Sequence, residues 1–464
     1  MPTSVEAPAR TGPAATAALC GVVLIYTVLE SMLAPALPLI QAGVDASAAS
    51  IAWVFTGPGL AAAVCTPLIS RLADVHDKKK VFFGVLAVVV AGVVLAGAAT
   101  SVLVLAVGQT LQGAGLGFVP LALGILRDSQ DQATARNGNG LVIGLSGFGV
   151  VAGLLLAGPL LTVLPYRWLY WIPLAVLLLI GAVAFRLLPA MAPADRGSVD
   201  WAGAGLLGTG LLALLIGVTM APTWGWGSVA FLALEAGAVA CLVLFVVVER
   251  RVDQPLVDFR VGGRAVLVTC GVAFTVGWST VTTSLTMPTI VAAPPAVGYG
   301  LGSDAATAGL LLVPLGVVAM VAASLTGRLE RIVGSRPLMV LSCLPIVAAV
   351  AAMFAGRHDA WVLALSSGLM GLGTGIGLTQ AMNVVAESVP ARRVTSVSGL
   401  VLVIRAVGGT LGAQVAGSLL GSDTVAGTPL PTWPAFSLVF LVGTVVAIAA
   451  AATAFTLPRH AASR

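Results

Sequence analysis

Residues 70–80 read SRLADVHDKKK, and this stretch sets eight polar or charged residues between two long apolar runs. Charged side chains are costly in hydrocarbon, so the pattern is that of a short loop joining two membrane helices. The chain carries a second version of it. From Gly327 it reads GRLERIVGSRP, which matches the first at Leu72/Leu329 and Arg71/Arg328, carries basic residues near its end, and again lies between apolar runs. Two copies of one loop imply that the halves of the chain repeat a single unit.

Working outward from these loops, the 464 residues are 58% hydrophobic and 9% charged, far outside the range of soluble globular proteins. A hydrocarbon core about 30 Å thick needs roughly 20 apolar residues per helix, and about fourteen such segments can be counted. The expected spans begin near Ala15, Ile51, Val81, Val102, Gly140, Trp168, Trp201, Val229, Val266, Ala306, Leu338, Trp361, Ser398 and Ala435. With the amino terminus cytoplasmic, only Arg167, Arg357 and Arg405 of the 23 basic residues fall outside the inner loops and tails, leaving 20 inside. The positive-inside rule therefore supports the span count and an orientation with both termini cytoplasmic, in a cell membrane. The net charge of +5 calls for no nucleic-acid partner.

Several chemistries are absent from the pattern. The five cysteines, Cys20, Cys65, Cys241, Cys270 and Cys343, all fall within spans, which argues against a disulfide framework or a zinc site. His76, His358 and His460 lie in loops or the tail, and no catalytic or metal-ligand spacing is present. The lysines are Lys78, Lys79 and Lys80, and none follows a glycine-rich phosphate loop. Neither an enzyme nor a cofactor is expected, and any energy must come from a gradient.

Five residues within spans stand out chemically. Glu30 lies in YTVLESMLAPALPLI, with Tyr26 one turn earlier on the same helix face. An ionisable residue in a span costs about 2.5 to 3.5 kcal/mol on insertion scales, so it faces a cavity, a partner or a proton path, unless it stays protonated and merely bonds a neighbouring helix. Arg405, in VLVIRAVGGTLGAQ, is the one basic residue well inside the membrane. Trp278 and Thr282 lie in the hydroxyl-rich ninth span, where hydroxyls either meet a ligand or bond their own backbone.

The first loop resembles the G-x-L-A-D-x-x-G-R-K signature of major facilitator superfamily transporters at Leu72, Ala73, Asp74, Lys78 and Lys79, and departs from it at Ser70, Val75 and Asp77. The resemblance implies that Asp74 braces the cytoplasmic face against the start of the thirteenth span, near Ser396 and Ser398. Other stretches are similar to the fourteen-span drug:proton antiporter branch. Gln112, Gly113 and Gly115 match a fourth-span motif whose arginine position holds Gln109. Gly149, Gly153 and Gly158, followed by Pro159, match a fifth-span motif of exporters, with departures at Leu154 and Ala157. Arg167, Trp168, Asp200, Trp201 and Gly203 match the branch around its inserted pair, and Arg405 precedes the paired Gly408 and Gly409. The branch's first-span acid falls at Leu29, one residue before Glu30.

The resemblance implies an all-α membrane protein of two pseudo-symmetric six-helix bundles, residues 1–188 and 262–464, with an inserted pair of helices in 189–261. It also implies proton-coupled export of a hydrophobic drug-like or antibiotic-like compound, cationic ones included, with Glu30 as the coupling acid. Tyr26, Gln109, Trp278, Thr282 and Arg405 are the expected substrate contacts, and Asp74, Gly149, Gly153, Gly158 and Pro159 the conformational positions. Glu235, within the inserted pair, is the alternative coupling acid. The expected partners are a small-molecule substrate, protons and the lipid bilayer, with the chain acting as a monomer. A metabolite importer or facilitator of the same fold, or a non-transporting sensor, are the other readings.

Overall fold

The computed structural model describes residues 11–130, 132–191, 199–252, 263–388 and 394–457. In chain order the helices are α1 (Pro13–Gly43), α2 (Ala48–Ile51), α3 (Trp53–Val75), α4 (Lys78–Gly97), α5 (Val102–Gln112), α6 (Phe118–Ser129), α7 (Gln132–Val163), α8 (Trp168–Leu187), α9 (Trp201–Trp224), α10 (Val229–Glu249), α11 (Arg264–Ala292), α12 (Ala305–Val333), α13 (Ser335–Ala355), α14 (Ala360–Ser388), α15 (Val394–Ser422) and α16 (Trp433–Ala454). Fourteen stretches are long and apolar enough to cross a membrane, with α5 and α6 forming one of them. An even number of crossings puts the two described ends at one face, here the terminal face. The opposite side is the far face.

Polar residues at the ends of the apolar runs close the helices. Asp77, which departs from the loop signature, is the N-cap of α4: its Oδ1 accepts the Lys79 N–H at 2.9 Å and also the Met191 N–H at 3.0 Å. A capping carboxylate satisfies amides that would otherwise be unpaired at a helix start. Beside it Lys78, 2% exposed, donates to Asp128 at 2.5 Å and ties α4 to α6. The second loop does the equivalent work with Glu330, which accepts from Gln380 at 2.5 Å and Asn383 at 3.0 Å and so ties α12 to α14.

Helices α1 to α8 pack into one bundle and α11 to α16 into another, with α1 against α7 and α11 against α15 in corresponding places. The inserted α9 and α10 pack against each other, and α9 also touches α3 and α15. Within α10 the buried residues are Ala238, Phe245 and Glu249, which puts this helix at the periphery. The five cysteines are free.

Two seams join the bundles. Along one, Thr56 of α3 accepts a hydrogen bond from Gln414 of α15 at 2.9 Å, and Gly59 meets Thr410 so closely that a Cβ would collide. Along the other, Gly158 of α7 meets Ala306 of α12 in the same way, Gly309 lies against the Leu154 carbonyl, and Gly316 faces Val151. Small residues let membrane helices approach this closely, because lipid gives apolar side chains no reason to prefer one another. Along these two seams, the Thr56–Gln414 bond and the contacts at Gly59, Gly158 and Gly309 lie in the half of the molecule nearer the far face.

Candidate functional site

Glu30 is set by the packing of α1 on α7. Thr27 and Ser31 bond back to their own helix, Thr27 to Leu24 O at 2.9 Å and Ser31 to Thr27 O at 2.9 Å. They project into places that Gly149 and Gly153 leave open, since a Cβ at either glycine would strike Thr27 or Ser31. This fixes the rotation of α1. Leu29, at the family's acid position, is 1% exposed and belongs to the core, whereas Glu30 is half-buried and lies deep in the molecule. The one-residue offset therefore turns the acid to an accessible face.

Tyr26, one turn earlier, is 3% exposed and meets Phe118 edge-on at 5.6 Å between ring centres. Its ring occupies the space above Gly115, where any Cβ would overlap it, and its hydroxyl lies by the backbone of Leu116. The fourth span runs as a 3-10 turn over Gly113–Gly117, beneath this ring. The glycines at 113 and 115 are thus required by close approach, Gly113 to Pro58 and Gly115 to Tyr26.

Arg405 enters from the other bundle. Its backbone carbonyl presses on Gly277 of α11, while Gly408 presses on the Phe274 carbonyl, so α11 and α15 are nearly in backbone contact. The side chain is half-buried, and its Nε is buried with no hydrogen-bond partner among the described residues. Glu30 and Arg405 act on each other electrostatically from opposite bundles. Among the described ion pairs none joins them within 4.0 Å. The arrangement is an acid on one bundle and a guanidinium on the other, within electrostatic reach and with no ion pair between them among the described residues.

The other expected substrate contacts lie among neighbouring helices. Gln109, 2% exposed, donates to the hydroxyl of the fully buried Tyr170 at 2.9 Å, joining α5 to α8. Trp278 packs beside Phe274 with its indole nitrogen near Gly443 of α16, and that N–H is buried without a hydrogen-bond partner among the described residues. Thr282 donates to Trp278 O at 2.8 Å and packs on Gly412. Gly158 lies at the seam described above, and Pro159 is within α7 beside it. The side chains of Asp74, Ser396 and Ser398 lie outside the described residues, as do the linkers at 192–198 and 253–262.

The cross-bundle bond between Thr56 and Gln414 and the Glu330 cluster escaped sequence reasoning. Gln414 is a polar residue in an apolar run, and Glu330 sits within the repeated loop; both were visible signals, without partners to give them meaning.

Three comparisons bear on this geometry. The family model described as Major Facilitator Superfamily matches residues 19–293 and 267–464. An uncharacterized MFS-type transporter of Mycobacterium tuberculosis is 28% identical over 92% of the chain, which spans 63% of that protein's length. The cephamycin export protein of Amycolatopsis lactamdurans is 30% identical over 92% of the chain and 90% of its own. In fold, the chain superposes on a crystal structure of the nucleoside transporter NupG, an aspartate-to-alanine variant, with a TM-score of 0.69 and 15% identity over 95% of this chain and 99% of the other.

Proposed function

Because the chain belongs to the major facilitator superfamily, we propose that it exports a hydrophobic, drug-like or antibiotic-like compound by proton antiport, through alternating access between its two bundles. The carrying observation is Glu30 on one bundle facing Arg405 on the other, with no direct ion pair between them. A relative that spans nearly the same length is a cephamycin export protein, which supports outward transport of an antibiotic.

The chemistry follows from this pair of opposite charges. An ionised Glu30 attracts Arg405 and draws the bundles together. A protonated Glu30 loses that attraction, which leaves Arg405 free for an anionic or hydrogen-bonding group of the substrate. Proton and substrate then compete for one electrostatic state, and the exchange moves the equilibrium between the two arrangements by the difference in their interaction energies. Transport further requires that Gly158 separate from Ala306 and Thr56 from Gln414, since these contacts hold the far face together. In this reading the termini are cytoplasmic, the far face is external, and the protein works as a monomer in the cell membrane.

Everted membrane vesicles with an acidic interior test the proposal. Addition of a transported compound should release protons from the interior, and the response should vanish with Glu30→Gln. A response unchanged by that substitution removes Glu30 from the coupling role. The likeness in fold to a nucleoside transporter favours a second reading, a metabolite importer. It predicts accumulation in right-side-out cells, where the exporter predicts depletion.

A further inference from the structure

The third and sixth spans of each bundle pack on one another, α4 on α8 and α13 on α16, away from the two seams. At the terminal face both pairs end in the same arrangement. Asp77 caps α4 through the Lys79 amide, which makes Lys79 the second residue of that helix. In the other bundle Gly334, at φ +88°, turns the chain so that Arg336 is the second residue of α13. The Lys79 ammonium lies over the Phe185 ring of α8, 4.9 Å from its centre, and the Arg336 guanidinium lies over the Phe455 ring that closes α16, at 5.8 Å. The two rings are 58% and 56% exposed, so each has a face left for a further group. Phe83 braces Phe185 edge-on at 5.0 Å, and the exposed Lys80 and Arg186 adjoin the first pair in sequence.

A cation over a ring is held by the ring's negative face, and its N–H donors on the other side stay available. Neither Lys79 nor Arg336 makes an ion pair among the described residues. The acids nearest to them in sequence are engaged elsewhere: Asp77 Oδ1 accepts two amide hydrogens, and Glu330 accepts from Ser335, Gln380 and Asn383. Each pair therefore sets a cation beside an exposed apolar ring, at the level where a span leaves the hydrocarbon. A phospholipid has the complementary order, a phosphate above its acyl chains. We propose that these two places, one in each bundle, are binding sites for acidic phospholipids of the leaflet at the terminal face, with the phosphate on the cation and an acyl chain along the ring. A headgroup with its own ammonium cancels part of the attraction, so phosphatidylglycerol is favoured over phosphatidylcholine. Because each site joins two helices of a single bundle, the lipid steadies that bundle and does not select between arrangements of the two.

Lipid binding tests this without reference to transport, so the result is independent of the export reading. The full chain in detergent is titrated with phosphatidylglycerol, and bound lipids are counted by native mass spectrometry, with phosphatidylcholine as comparator. Two phosphatidylglycerol molecules should bind at least about fivefold more tightly than phosphatidylcholine. Lys79→Gln and Arg336→Gln should each remove one and together both, whereas Lys79→Arg should keep two. Phe185→Leu should weaken one site about twofold or more. Arg357 lies over Trp433 at the far face, 5.6 Å from the ring centre, and makes the same kind of contact in the other leaflet. Arg357→Gln should therefore keep both lipids. Equal affinity for the two lipids, or two lipids retained after either glutamine substitution at Lys79 or Arg336, overturns the proposal. So does a lipid lost in Lys79→Arg or Arg357→Gln, or binding indifferent to Phe185→Leu.

Discussion

Glu30 and Glu235 are two carboxylic acids within apolar spans, and their surroundings separate them. Glu30 is within electrostatic reach of a guanidinium on the other bundle, 375 positions further along the chain (405 − 30). Glu235 lies within the inserted pair, where its Oε1 is buried against Gly217 of α9 and has no hydrogen-bond partner among the described residues. Both carry the cost of an acid in a membrane, and among the described residues Glu30 alone of the two has an opposite charge on the other bundle within electrostatic reach. Conformational coupling needs an interaction that differs between states, and Glu235 packs on a helix of its own pair.

Substitutions can break this contrast. The largest effect is expected from Glu30→Gln, which should lower pH-gradient-driven transport at least about tenfold, equivalent to about 1.4 kcal/mol, while the protein still folds and binds neutral substrates. Glu30→Asp should retain part of the activity. If the gradient response falls with Glu235→Gln and persists with Glu30→Gln, the coupling acid is in the inserted pair.

Next comes Gly153→Val. The added branches would strike Ser31 and the Val28 carbonyl, forcing α7 off α1 and turning Glu30 from its place. Overpacking of this kind costs about 1–3 kcal/mol, so a lower melting temperature should accompany the loss of transport. Unchanged melting would mean that the α1 to α7 contact does not set the position of the acid.

A smaller effect is expected from Arg405→Lys, which keeps the charge and loses the planar fork. Transport should fall about threefold, a cost below about 1 kcal/mol. In double variants, Glu30→Gln with Arg405→Gln should lose little more than either alone, whereas Glu235→Gln with Arg405→Gln should be additive. Additivity in the first pair would sever the electrostatic link between the bundles. The smallest effect is expected from Glu235→Gln alone: transport within about twofold, and insertion no worse, because the amide avoids the insertion cost of an acid.

Much of the fold was legible without coordinates. Apolar runs of spanning length, separated by loops holding almost all the basic residues, determine the number of helices and their alternation, because a bilayer leaves few other ways to satisfy a backbone. The repeated loops at Arg71 and Arg328 disclosed the two halves, and Glu30 and Arg405 stood out because charges in spans are rare. Rotation and partnership came only from the tertiary structure. A soluble helix shows its buried face by hydrophobic periodicity, but a span facing protein on one side and lipid on the other is apolar all round, so charge singled out Glu30 while the order of residues did not show that Leu29, at the family's acid position, is the core residue. That choice is made by Gly149 and Gly153 against Thr27 and Ser31, which lie more than a hundred residues away in the chain, and by Gly277, which draws α15 close to α11 and brings Arg405 within electrostatic reach of the acid.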